Sequence, residues 1–235
     1  MAVVILVRHG HSTANRDGVL AGWLGGIGLT QTGIEQARAL SAQLAAVPLA
    51  LVATSPLQRS QETALALLAG RSVQLRVEDG LGECHYGAWT GRRLADLQGE
   101  QLWRTVQDSP QSVTFPGGAG AAGHRAESLA AMTARVVGAV RALDAQVQAA
   151  QGVDAVWVAV SHGDPIKAVL AVAGGGDVRA LQRHHVDPGS LSVVRFAGQR
   201  SVVLAANATV LDVRGLVAAT SAAVPGDLPV GGGAG

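Results

Sequence analysis

The sequence predicts an α/β domain: a three-layer sandwich in which helices cover both faces of a mostly parallel central sheet. Two observations carry this prediction. Continuous apolar, β-branched runs, typical of strands buried on both faces, alternate along the chain with segments of helical periodicity. The chain has 235 residues, of which 48% are hydrophobic, enough for one sizeable core in a fold that commonly reaches about 200–250 residues. We therefore expect one domain over residues 1–214.

The first half of the chain alternates regularly between strand and helix. Residues 2–7 form a continuous apolar run, which predicts the first buried strand. Apolar residues at helical spacing predict a helix over residues 30–47, and Thr32 with Glu35 has the pattern of a capping box at its start. Further along, the patterns predict a strand at 49–53, a helix at 57–68 and a strand at 73–77.

The middle of the chain is less regular than its two ends. We expect a loop at 80–91, a helix at 92–106 and a mobile Gly/Pro-rich segment at 110–123, so that residues of about 92–125 form an insertion over the site. The later elements are predicted to be a helix at 127–150, a strand at 153–160, a helix at 165–172 and a hairpin of 191–196 with 201–206 around Gly198. Residues 215–235 are rich in Gly, Ala and Pro, which predicts a disordered tail.

Charge and composition argue against several partners. With 18 basic and 17 acidic residues, the chain has a net charge of +1 and no field that would attract nucleic acid. Cys84 is the single cysteine, which excludes an internal disulfide and a multi-cysteine zinc site and favours a reducing, cytoplasmic location. The longest uncharged stretch, residues 39–58, includes two prolines and polar residues, so we expect no membrane span.

Unusual polar residues stand where three predicted strands end. Arg8 and His9 follow the first strand, Arg59 lies one turn into the helix after the second, and His162 follows the strand at 153–160. In such sheets the ligand site lies beyond the carboxyl ends of the strands. Arginine matches phosphate oxygens and stays charged, and histidine can act as a nucleophile. No metal-ligand cluster is obvious, so the pattern predicts phosphoryl transfer supported by cationic side chains.

Four segments resemble, in order, the motifs of the histidine phosphatase superfamily, which includes the cofactor-dependent phosphoglycerate mutases. Residues 6–15, LVRHGHSTAN, are similar to its R-H-G-x-S-x-x-N signature, and residues 55–64, SPLQRSQETA, to its S-P-L-x-R-x-x-E-T segment. Residues 81–91, LGECHYGAWTG, resemble the loop that holds the acid/base glutamate, and residues 160–163, VSHG, the segment of the second histidine. The resemblance covers about residues 2–205 and implies a phosphoglycerate mutase-like fold.

The resemblance implies a role for each matching residue. His9 would be the nucleophile that becomes phosphohistidine, and Glu83 the acid and base. Arg8, Arg59 and His162 would act on the transferring phosphoryl group, with additional substrate contacts from Ser12, Asn15, Tyr86 and Gly163. The implied activity is that of a histidine acid-type phosphomonoesterase: metal-independent, cofactor-free hydrolysis of small phosphorylated metabolites. The resemblance is also compatible with a homodimer.

Two other functions stay open. A phosphoglycerate mutase-type phosphomutase is one, and the segment Ala21-Gly22-Trp23 resembles the mutases. The mutases, however, have a lysine eleven residues after the glutamate and an adjacent arginine pair in the following insertion, where this chain has Leu94 and only Arg104. The other alternative is a weakly catalytic protein that binds a phosphorylated ligand. Outside the site motifs, Glu62 and Thr63 are expected to fix the turn around Arg59, and Lys167, His184 and His185 to lie at the surface.

Overall fold

The computed structural model describes residues 2–117, 124–197 and 200–216. In this part of the chain, six strands form one sheet in the order β3-β2-β4-β1-β5-β6. Strands β1 to β4 run parallel to one another. Strand β5 is antiparallel to β1, and β6 is antiparallel to β5. Their bounds are β1 Val3–Arg8, β2 Leu49–Thr54, β3 Leu75–Val77, β4 Val156–Ser161, β5 Leu191–Ala197 and β6 Arg200–Ala208. The predicted strands and the mostly parallel sheet are confirmed.

Helices cover both faces of the sheet. The main α-helices are α1 Thr13–Arg16, α2 Gln31–Gln43, α3 Gln58–Leu68, α4 Leu94–Leu97, α5 Gln101–Asp108, α6 Leu129–Gln151 and α7 Gly163–Ala173, and residues 213–216 are also helical. Alternate residues of β1 enter two separate cores: Val4 and Leu6 pack in the core that holds α6 and α7, while Val3 and Ile5 pack in the core that holds α2 and α3. The period-two alternation of a strand thus produces the predicted three layers.

Two helix predictions require correction. The cap of α2 is Thr30, whose Oγ1 accepts a hydrogen bond from the Gly33 N–H at 3.2 Å, so the predicted capping box of Thr32 with Glu35 is wrong. The helix then ends at Gln43 rather than at residue 47, short of Pro48, which disfavours helical backbone at Val47. The helix predicted at 92–106 is divided into α4 and α5 around Gly99, a residue that disfavours helix.

Some predictions lie partly or wholly outside the described residues. These are the Gly198 turn of the final hairpin, residues 118–123 of the predicted mobile segment, and residues 217–235 of the predicted tail; residues 215 and 216, also predicted to be disordered, are instead part of a helical turn over 213–216, where Leu216 packs against the core. Across the described ranges, no helix is both long and apolar enough to cross a membrane.

Candidate active site

The sheet register brings the two motif histidines together. In the β1–β4 pair Arg8 lies opposite Ser161, and the His9 N–H donates to the Ser161 carbonyl oxygen at 3.1 Å. His9 follows Arg8 and His162 follows Ser161, so this register places the two histidines side by side. Their ring centroids are 5.1 Å apart. Strand β2 pairs with β4 on its other side, which places Ser55 beside the same edge.

His9 is buried and held in one orientation by hydrogen bonds to both ring nitrogens. Its Nδ1 lies 2.8 Å from the Gly10 carbonyl oxygen, which can only accept, so the ring proton is on Nδ1. The lone pair of Nε2 accepts from Nε of Arg59 at 3.2 Å. Burial, followed by the charges of Arg59 and Arg8, places the pKa of His9 well below its ordinary value. At neutral pH the ring is therefore uncharged, with its lone pair on Nε2.

His162 has a complementary arrangement. Its Nε2 lies 2.7 Å from Ser55 Oγ and 3.3 Å from Ser60 Oγ. Because Ser55 Oγ already accepts from the Leu57 N–H, its hydroxyl proton is free to donate to Nε2. Burial and the charge of Arg59 lower the pKa of His162 well below its ordinary value. The ring is thus neutral, and with the Ser55 hydroxyl as donor to Nε2 its proton lies on Nδ1.

Three buried donor nitrogens in this region have no hydrogen-bond partner within the described residues: Nε of Arg8, Nη1 of Arg59 and Nδ1 of His162. The same guanidinium groups are otherwise well anchored, Arg8 on the Val186 carbonyl at 2.5 Å and Arg59 on the Gly22 carbonyl at 2.9 Å. An unpaired buried donor costs about 1–3 kcal/mol. A bound group with several acceptor oxygens within reach of these nitrogens would supply the missing partners.

A cleft of about 290 Å³ opens over these groups. Among the residues that line it are eight of the nine predicted site residues: Arg8, His9, Ser12, Asn15, Arg59, Glu83, Tyr86 and Gly163. His162, the ninth, is fully buried and packs against the ring of His9 rather than lining the cleft. Ser12 and Asn15 also cap α1 together: Asn15 Oδ1 accepts from the Ser12 N–H at 2.9 Å, and Ser12 Oγ from the Asn15 N–H at 3.3 Å.

The Glu83 side chain lines the cleft, and the pKa of its carboxyl group is raised. Its pKa rises from the ordinary 4.5 to about 7, first because of burial and then because of the negative charge of Asp164. The Cys84 N–H, which donates to Oε1 at 2.9 Å, and the charges of Arg59 and Arg8 act in the opposite direction. Near neutral pH this carboxyl group can therefore both give and accept a proton.

The turn around Arg59 is fixed as expected. The Thr63 hydroxyl donates to the Arg59 carbonyl at 2.8 Å and accepts the Gly10 N–H at 3.1 Å, so it ties α3 to the loop that carries His9. Glu62 accepts the Leu29 N–H at 2.7 Å. Glu62 and Thr63 thus form hydrogen bonds to the backbone of segments that surround the site.

Comparison with known proteins agrees with this arrangement. The sequence model described as histidine phosphatase superfamily (branch 1) matches residues 4–209. The chain belongs to the histidine phosphatase superfamily. Its R-H-G segment, second arginine and second histidine lie together at one edge of the sheet.

Named members of the histidine phosphatase superfamily are similar along most of the chain. Phosphoserine phosphatase 1 of Hydrogenobacter thermophilus is 30% identical over 211 residues, which cover 89% of this chain and 93% of that protein. A bifunctional protein of Mycobacterium tuberculosis is 33% identical over 197 residues, 82% of this chain but 50% of its own length. A crystal structure of a putative α-ribazole-5′-P phosphatase from Escherichia coli superposes with a TM-score of 0.73, at 26% identity, over 89% of this chain and 98% of that one.

Sequence reasoning missed the residues that hold the Glu83 loop of this superfamily member. Arg135 on α6 donates to the carbonyls of Gly80 at 3.1 Å, Gly82 at 2.9 Å and Glu83 at 3.1 Å. Arg135 also forms an ion pair with Glu127 at 2.5 Å. The Glu127 carboxylate in turn accepts a hydrogen bond from the His85 N–H of the same loop at 2.9 Å. No motif marks Arg135 in the sequence, because its partners are backbone carbonyls some fifty residues away.

Lys167 and His185, both expected at the surface, line the cleft, and only Lys167 departs from that expectation in its burial. Lys167 is half-buried and pairs with Asp164 at 3.4 Å, and Asp164 in turn accepts the Tyr86 hydroxyl at 2.8 Å. His185 keeps an exposed side chain and lies 2.9 Å from Asp187. This part of the cleft therefore carries a network of charges that the motifs did not indicate.

Proposed function

We propose that this chain is a metal-independent phosphatase of the histidine acid type, which hydrolyses small phosphomonoesters through a phosphohistidine on His9. The observation that carries the proposal is the state of His9. Its ring is neutral, its Nδ1 proton is held by the Gly10 carbonyl, and its Nε2 lone pair lies beside Arg59 at the cleft. A histidine so arranged is ready to attack a phosphorus atom without first losing a proton.

In the first step, His9 Nε2 forms a bond to phosphorus as the phosphorus–oxygen bond of the ester breaks. Glu83 in its protonated form gives its proton to the leaving oxygen, which departs as an alcohol. The carboxylate that remains then takes a proton from water, whose oxygen attacks the phosphohistidine and releases inorganic phosphate. A pKa of about 7 suits Glu83 to both steps, since each protonation state is well populated near neutral pH.

The proposed stabilisation of the transferring group comes from donors of the protein. Arg8 and Arg59 supply permanent positive charge, and His162 supplies a neutral N–H from Nδ1. Phosphoryl transfer needs such charge around the equatorial oxygens and little other chemistry from the protein. The three unpaired donors are the groups we assign to those oxygens, and Asn15 and Gly163 are proposed as further contacts because they line the cleft.

The phosphatase names of two relatives that match 89% of the chain support hydrolysis, although a phosphoglycerate mutase of Gloeobacter violaceus is 32% identical over 50% of the chain. A mutase must also hold a second anionic group of its intermediate. Leu94 lines the cleft, and Lys167, the cleft's lysine among the residues that the structure describes, is already paired with Asp164. These features favour a phosphatase over a phosphomutase.

The test is phosphate release from a panel of phosphomonoesters in the presence of EDTA. The proposal predicts release by the wild-type chain and its loss in His9→Ala, with His184→Ala as the matched control that keeps activity. A folded wild-type protein that binds phosphate esters but releases no phosphate would instead support the phospho-ligand binding protein. Activity that depends on priming by a bisphosphorylated metabolite would support the phosphomutase.

A further inference from the structure

The cleft holds most of the aromatic side chains of the chain. The sequence has seven aromatic residues, four Trp, one Tyr and two Phe. Four of them line this cleft: Tyr86, Trp89, Trp103 and Phe115. Successive rings are in contact, with centroids 5.0 Å apart for Tyr86 and Phe115, 5.4 Å for Phe115 and Trp89, and 6.2 Å for Trp89 and Trp103. We call this cluster the aromatic wall; Tyr86, Trp89 and Phe115 are only 3–4% exposed and form its buried backing, whereas Trp103 is half-buried.

Aliphatic residues extend the aromatic wall. Leu20, Leu94 and Val106 also line the cleft. Leu94 and Trp103 are only half-buried, so part of their apolar surface stays open to a bound molecule. Both come from the segment between the Glu83 loop and α6, Leu94 from α4 and Trp103 from α5. An apolar group in this position would leave water and gain contact with the rings.

The charges on the same side of the cleft are already paired. Lys167 Nζ lies 3.4 Å from Asp164 Oδ1 and 3.3 Å from Gln182 Oε1, and His185 lies 2.9 Å from Asp187. Arg8 and Arg59 are assigned to the phosphoryl group. Among the lining residues that the structure describes, no further lysine or arginine remains for a second anionic group. A carboxylate on the leaving group would face Asp164 and lose hydration against the aromatic wall.

We propose that the aromatic wall binds the leaving group, and that the preferred substrates are uncharged aryl or arylalkyl phosphomonoesters rather than phosphorylated carboxylic acids. This inference rests on the proposed phosphatase function and names its substrate class. It also separates this chain from relatives whose names specify phosphoserine. The apolar lining of the cleft and the pairing of Lys167 with Asp164 are the features of this chain that favour an uncharged leaving group.

The experiment compares kcat/KM for benzyl phosphate and O-phosphoserine, two esters of primary alcohols that differ mainly in an uncharged ring against a charged amino acid. We expect wild type to favour benzyl phosphate at least about tenfold, which corresponds to roughly 1.4 kcal/mol. Trp103→Ala should reduce this ratio about tenfold, while Trp103→Phe should keep most of it, since the phenyl ring retains much of the contact. The exposed Leu65→Ala on α3 is the matched control and should leave the ratio unchanged.

Leu94→Lys provides a second variant that does not depend on the removal of a large side chain. It places a cation in the wall, so the ratio should shift toward O-phosphoserine about tenfold or more. The inference is wrong if wild type releases phosphate from O-phosphoserine as well as from benzyl phosphate, or if neither Trp103→Ala nor Leu94→Lys moves the ratio. If no ester releases phosphate, the proposed function itself has failed. In that case calorimetric titration of wild type with benzyl phosphate and with O-phosphoserine tests separately whether the aromatic wall binds the leaving group. Equal affinities for the two esters would overturn that proposal.

Discussion

Replacing Glu83 with Gln should stabilise the folded protein above neutral pH while it removes most of the activity. In the folded state burial and Asp164 raise the pKa of Glu83 from 4.5 to about 7. The folded state therefore binds the proton more tightly than the unfolded state does. As pH rises through the window between these two values, the unfolded state releases the proton first and stability falls. At about 1.4 kcal/mol per pKa unit, the full loss above that window is roughly 3 kcal/mol.

The Gln side chain keeps an oxygen that can accept the Cys84 N–H but carries no ionisable group. Glu83→Gln should thus exceed wild type in unfolding free energy by up to about 3 kcal/mol at pH 8.5, and most of this difference should vanish at pH 5. Urea unfolding followed by tryptophan fluorescence at both pH values measures it. Glu35→Gln, an exposed change on α2, is the control and should stay within about 0.5 kcal/mol of wild type. A Glu83→Gln protein that is no more stable than wild type at pH 8.5, or equally more stable at both pH values, would refute the reasoning.

Three further changes probe the framework of the site. Arg135→Met should lower kcat about 10- to 100-fold with little change in KM, because the backbone that positions Glu83 loses three hydrogen bonds; kinetics with unchanged kcat would contradict this. Gly33→Ala should cost more than about 2 kcal/mol in urea unfolding, since its methyl group would lie 2.1 Å from a main-chain oxygen of the nucleophile loop, whereas Gly138→Ala, on an open face of α6, should be neutral or stabilising. Asp164→Asn removes a charge that raises the pKa of Glu83, so the alkaline limb of the kcat/KM profile should move to lower pH; a limb that stays in place would count against the assignment of Glu83 as the acid.

The sequence was sufficient to predict the sheet and the strand-end residues because both depend on short-range patterns. The apolar run before Arg8 predicts a buried strand whatever its neighbours are, and strand ends in a parallel sheet share one edge. The β1–β4 register then places His9 beside His162 without any further requirement on the sequence.

Other features depend on contacts between distant segments and could not be predicted in this way. Arg135 binds backbone carbonyls of the Glu83 loop, and a carbonyl has no sequence signature. Lys167 lies in the cleft because α7 begins at Gly163, and its pairing with Asp164 and Gln182 became apparent only with the fold. The choice of Thr30 over Thr32 as helix cap was likewise decided by packing, since the Thr30 hydroxyl also donates to the His11 carbonyl at 3.0 Å.

Trapping of the phosphoenzyme tests the assignment of His9 most directly. Wild-type protein mixed with benzyl phosphate and quenched in alkali within the first turnover should carry one acid-labile, alkali-stable phosphoryl group, which peptide mass spectrometry locates on His9. His9→Ala should carry none, and His184→Ala should carry the same label as wild type. Phosphate release with no phosphorylated intermediate, or a phosphoryl group on a residue other than His9, would contradict the mechanism.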